Sequence, residues 1–152
     1  MVNSHNKTMT GGVMASNKEK KAFLRRYMQC VQAEKSIEDE IEKLRSSVIL
    51  PANVMDGMPH GTTKSDLSAY AARLDALFRK LQAELNRMWE TRKTIIDAIE
   101  ELDDETEKLV LKYRYINGWK WERIAETEFY SYQHVHKIHQ KALEHLKIPE
   151  KL

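Results

Sequence analysis

The sequence predicts an all-α fold: a long antiparallel helical (coiled-coil) hairpin followed by a small three-helix helix-turn-helix domain. Composition and pattern both carry this. Only 5 Gly and 3 Pro interrupt 152 residues, and 32% of the residues are charged, a balance that favours long solvent-washed helices over a sheet. Apolar residues recur at steps of three and four along two long stretches, whereas the last third of the chain holds short apolar clusters split by turn signals.

Residues 1–17, "MVNSHNKTMTGGVMASN", are polar and aperiodic and read as a disordered leader, native or vector-derived. Ser16 or Asn17 is placed to cap the first helix with a short side-chain oxygen. From Lys18 to Val48, the residues Leu24, Met28, Val31, Ile37, Ile41, Leu44 and Val48 mark one face of a helix. It should run about 30 residues, roughly 45 Å. Pro51 ends it, and "PANVMDGMPHGTTKSD" reads as a loop over 50–65, long enough to be mobile or functional. A second stripe follows: Leu67, Tyr70, Leu74, Leu77, Leu81, Leu85, Met88, Ile95, Ile99 and Leu102. Its heptad-like spacing predicts a hairpin over 18–102, the seam completed by the partner helix or by a second chain.

The stretch 103–148 behaves differently. Asp104, with Glu107 three residues on, fits a capping box that opens a helix over 105–116, and Asn117-Gly118 breaks it. A second helix runs from about Lys120 to Glu128, and Ser131 caps a third over 132–147, closed by Pro149. Trp121, Ile124 and Ala125 face Val135, Ile138, Ala142 and Leu146 across the tight "ETEFYS" connection. The small Ala125 lets two helices approach closely, which is the packing logic of a helix-turn-helix. Leu109, Leu111, Tyr113 and Ile116 supply a third wall.

These tail residues resemble region four of bacterial sigma factors. The matching positions are Tyr113 to Tyr115, Gly118, Glu122 to Ala125, Ser131, Val135, Ile138, Ala142, Leu143 and Leu146. The whole chain is similar to small phage and prophage proteins with such a tail, related to the ArpU and RinA late-gene transcriptional regulators. The resemblance implies a DNA-binding transcription regulator in the cytoplasm of a bacterial host. RNA polymerase is a further candidate partner, and the hairpin a candidate homodimer contact. Two departures set this chain apart: Lys120 sits between two tryptophans, and the third helix is poorer in Arg and Glu than its sigma counterparts. Any preferred site should therefore differ from a promoter element.

Tyr132, Gln133, His136, Lys137 and Gln140 avoid the apolar stripe of the third helix. Such residues meet base edges in the major groove of double-stranded DNA, Gln133 suiting adenine and Lys137 guanine or phosphate. Ser131, at the amide-rich start, and Lys141, Lys120 and Arg123 are candidates for phosphate contact, and His134 for the groove. The 131–148 stretch holds three Lys against one Glu, while 103–152 balances nine acidic and nine basic residues. One copy should bind weakly and salt-sensitively.

Four of the six histidines lie between 129 and 146, and His136 and His139 have a chelating spacing, yet no cysteine is near, so no metal is expected. His139 and His145 are expected on a solvated polar face. Trp121 should pack in the core, with Trp119 partly exposed. The basic start "KEKKAFLRR" reads as a solvated first turn, with a secondary DNA or phosphate contact as the alternative. A single cysteine, Cys30, excludes an intramolecular disulfide and suits a reducing compartment. No apolar run reaches the roughly 18–20 residues that cross a bilayer. No Gly-rich phosphate loop, nucleophile motif or acid pair appears, so neither enzyme activity nor a cofactor is expected. Two other functions fit the same pattern. A small terminase-like DNA-packaging subunit would form a closed ring, and a helical protein-interaction module would not bind DNA.

Overall fold

The computed structural model describes residues 14–49 and 64–149, and all its regular structure is helical. Helix α1 spans Asn17–Ile49 and α2 spans Lys64–Glu100. Ser16 caps α1: its Oγ accepts from Glu19 N at 3.3 Å, and Glu19 Oε2 accepts from Ser16 N at 2.7 Å. This is a reciprocal capping box, and the bond from the Ser16 backbone is the first cause holding the Glu19 carboxyl below its ordinary value. The expected leader lies outside the described residues up to position 13. The expected loop does too, except that Lys64 and Ser65 already belong to α2.

The two long helices pair antiparallel. Cys30 Sγ lies 3.9 Å from Thr91 Oγ1, Glu40 lies 3.9 Å from Lys80, and the Arg45 guanidinium sits 5.7 Å from the Phe78 ring centre. As α1 advances, its partner on α2 steps back. Burial is uneven along the seam. Ile95, Ala98 and Ile99 near the end of α2 are buried, but Leu74, Leu77, Leu81, Leu85 and Met88 are only half-buried. Leu67, Phe78 and Trp89 are exposed, Trp89 at 63%.

The tail contains α3 over Glu105–Leu111, a π-helical turn over Lys112–Ile116, α4 over Trp121–Glu128 and α5 over Tyr132–His145. The single helix expected over 105–116 therefore widens halfway, with Asn117 N donating to Lys112 O at 3.0 Å. Gly118 then takes φ +67, and a Cβ there would stand 3.0 Å from Met28 Cε of α1. Its lack of a side chain thus permits both the left-handed turn and the close seating of α1. Asp104 Oδ1 caps α3, accepting from Thr106 N and Glu107 N at 2.8 and 3.3 Å. The Glu107 carboxylate turns away to His145 of α5 instead of completing the predicted box.

Two cores result. Val110, Ile124, Ala125, Val135 and Ile138 form the tail's own core. A larger one joins Phe23 and Leu24 of α1, Ile95, Ala98 and Ile99 of α2, and Leu111, Tyr115, Ala142, Leu143 and Leu146 of the tail. The inner stripe expected on α5 is therefore divided: Val135 and Ile138 face α4, whereas Ala142 and Leu146 face the hairpin. At about 1.5–3 kcal/mol for each large apolar side chain buried, this shared core welds tail to hairpin. Glu100 reinforces the joint, pairing with Lys112 and, at 3.6 Å, with Lys108.

Candidate nucleic-acid interface

Helix α5 organises the candidate site, and its start is held locally. Helix α4 ends in a Schellman motif, with Tyr130 N donating to Ala125 O at 2.9 Å and Phe129 N to Glu126 O at 3.4 Å. That motif wants a left-handed residue, and Phe129 supplies it at φ 56. Its ring is 96% exposed. Two residues later Ser131 leaves the turn extended and its Oγ accepts from His134 N at 3.2 Å. The predicted cap thus stands at the predicted residue, and α5 begins at Tyr132.

Tyr132, Gln133, His134, Lys137, Gln140 and Lys141 are all exposed on α5, while Val135, Ile138 and Ala142 point inward. Among the described residues, neither Lys137 nor Lys141 has a carboxylate within ion-pair distance. His134 meets the Tyr130 ring edge-on at 4.9 Å. His136 is half-buried between the rings of Trp121 and Tyr132, at 4.7 and 4.5 Å, and its Nε2 is buried with no hydrogen-bond partner among the described residues. On α4, Lys120 is the exposed N-cap residue, and the Arg123 guanidinium lies 4.0 Å from the Trp119 ring centre. Trp119 in turn stacks on Tyr113 at 4.3 Å, so Arg123 is positioned by an aromatic pile.

Of the two histidines expected on a solvated face, His145 is exposed as expected and His139 is corrected. His139 is not solvated: it is buried, with Nε2 2.9 Å from Tyr115 Oη and its ring 4.7 Å from Trp121. Burial first, and then Lys21, His136, Arg114 and Arg25, push its pKa down to about 4. The Tyr115 hydroxyl is pushed up by burial, against the pull of Arg25 and Arg114, so a neutral phenol faces a neutral imidazole. His145 is exposed but bound, its Nδ1 2.8 Å from Glu107 Oε2, and that hydrogen bond is the first cause raising its pKa. Among the described residues, no three His, Cys, Asp or Glu side chains gather as metal ligands.

The basic start of α1 is the larger correction. Lys20 is not a solvated charge; it is buried, and its Nζ donates to Leu143 O at 2.6 Å and Glu144 O at 3.1 Å. It thereby closes the carbonyl end of α5 with a cation, where the helix dipole favours one. Lys21 and Arg25, farther along α1, open onto a cleft of about 390 Å³ shared with Arg114, Trp121, His136 and Gln140. Lys21 and Arg25 belong to the "KEKKAFLRR" stretch, whose alternative reading is a secondary DNA or phosphate contact, whereas Arg114 gives no such signal, and only the fold brings α1 beside α5. A larger cavity, about 610 Å³, lies at the other end of α5 and carries Glu101, Asp103, Asp104, Glu107 and Glu144. Its acidic wall makes it the poorer candidate for nucleic acid despite its size.

No helix of the described residues is long and apolar enough to cross a membrane. Compared with protein-family models, with curated proteins and with solved structures, the chain matches none.

Proposed function

We propose that the protein is a DNA-binding transcriptional regulator whose α4–α5 unit reads duplex DNA through the outer face of α5. One observation carries the reading: a Ser131-capped helix, braced across a tight turn by α4, presents Tyr132, Gln133, Lys137, Gln140 and Lys141 to solvent. Gln133 has the donor–acceptor pair that suits adenine, Lys137 suits guanine or phosphate, and Lys120, Arg123 and Lys141 suit the backbone. The resemblance of the tail to sigma region four supports the same reading and adds RNA polymerase as a partner. The exposed Phe129 offers a contact for it.

Oligomerisation belongs to the proposal too. The half-buried seam of α2 and the exposed Leu67, Phe78 and Trp89 support a second copy on the hairpin. Two tails on one duplex would offset the weak binding of each. In a mobility-shift assay, the wild type should retard duplex DNA and Gln133→Ala/Lys137→Ala should lose at least tenfold in affinity. Equal binding by both would remove α5 as the reading element. Light scattering separates the regulator, a monomer or dimer, from a packaging ring.

A further inference from the structure

The first turns of α1 carry Lys21 and Arg25 into a cleft against α5, and the region-four resemblance does not extend to them. The cleft walls also include Arg114, Trp121, His136 and Gln140, and none of its lining residues is acidic. Three permanent cations therefore face one space. Among the described residues none of the three has a carboxylate within ion-pair distance. A cleft lined by charges of one sign concentrates ions of the other.

Their positions are fixed from below. Arg114 donates from Nη1 to Trp119 O at 2.8 Å and lies 4.7 Å from the Trp121 ring centre, which leaves its remaining N–H groups for a ligand. Lys20, one residue before Lys21, locks α1 to the end of α5 through two carbonyls. Met28 on the next turns rests against Gly118. Burial first, and then Lys21, Arg114 and Arg25, oppose protonation of His139 in the cleft wall. His136 and Gln140, four residues apart on α5, border the cleft on one side and the outer face on the other. His136, in the cleft wall, also keeps a buried Nε2 with no hydrogen-bond partner among the described residues.

We infer that this cleft seats a phosphodiester of the duplex that α5 reads, so that Lys21 and Arg25 of the hairpin, with Arg114, clamp the backbone beside the groove. The inference rests on the proposed reading of duplex DNA by α5. It makes the base of the hairpin part of the DNA interface and not only an oligomerisation stalk.

Anisotropy titrations of a labelled duplex over a series of salt concentrations test it, with wild type, Lys21→Gln/Arg25→Gln, the charge-keeping Lys21→Arg, and Gln133→Ala/Lys137→Ala. Thermal melts confirm that each variant is folded. Removing two phosphate contacts should lower the slope of log K against log salt by about 2 and weaken binding at least tenfold, equally for all duplex sequences. Lys21→Arg should behave as wild type. If Lys21→Gln/Arg25→Gln binds like wild type while Gln133→Ala/Lys137→Ala is weakened, the cleft is overturned and the reading helix stands. If the wild type itself has no affinity for duplex DNA at low salt, both are overturned.

Discussion

The two ends of α5 face opposite tasks. Its start projects from a tight turn, is polar and exposed, and leads to Lys137, which has no carboxylate partner among the described residues. Its end is held from three sides: Lys20 caps the carbonyls, Glu107 holds His145, and Leu143 and Leu146 sink into the core shared with the hairpin. A helix that must meet a large rigid partner needs one free end and one fixed end, because anchoring removes the disorder that would otherwise be lost on binding. The difference teaches that residues of one short helix should separate cleanly in experiment. Substitutions at the end should move stability, and those at the start should move binding.

The sharpest break in that comparison comes from the core. Leu143→Ala removes a fully buried side chain and should cost about 2–5 kcal/mol in urea unfolding. Gln133→Ala, by contrast, should stay within about 0.5 kcal/mol of wild type. Next is Lys20→Met, which leaves the Leu143 and Glu144 carbonyls without their cation. A loss of about 1–3 kcal/mol is expected, together with faster amide exchange in the last turn of α5. An unchanged stability would mean that the buried lysine is a bystander.

Phe129 tests the turn between the two helices. A left-handed phenylalanine is strained, and Phe129→Gly should stabilise the fold by about 0.5–1 kcal/mol in thermal denaturation. Weaker partner binding by the stabilised variant would show that the exposed ring is a contact.

The last contrast is in pH. His139 holds a proton only below about 4 in the folded chain, against an ordinary 6.5 when unfolded. Its neutral form therefore favours folding fully above 6.5, and that contribution is lost as pH falls from 6.5 toward 4. His145 has the opposite sign: its raised pKa gives a contribution complete below 6.5 and lost as pH rises through the folded value. The advantage of wild type over His139→Gln should thus shrink between pH 6.5 and pH 4, measured as the difference in urea midpoints.

Local signals were legible in the sequence and distant ones were not. Ser131 and Asp104 announce their helices because a cap needs only residues two or three positions on. The long apolar stripes announce the hairpin for the same reason. His139 was misplaced because four apolar residues on α5 suggested a narrow stripe. Position 139, adjacent to Ile138 and three before Ala142, is the widening position of a globular helix face, and that was the available clue. Lys20 gave no clue at all, since its acceptors lie 123 and 124 residues away. The cleft of Lys21, Arg25 and Arg114 was hidden for the same reason. Each residue is unremarkable until the fold brings α1 beside α5.

The central claim, that the outer face of α5 reads DNA, is tested most directly by selection from a pool of duplexes with a randomised core. The wild type should enrich a short motif containing an adenine whose preference disappears in Gln133→Ala, while Lys21→Gln/Arg25→Gln keeps the motif at reduced affinity. Recovery of no motif by the wild type, or of the same motif by Gln133→Ala/Lys137→Ala, would contradict the account.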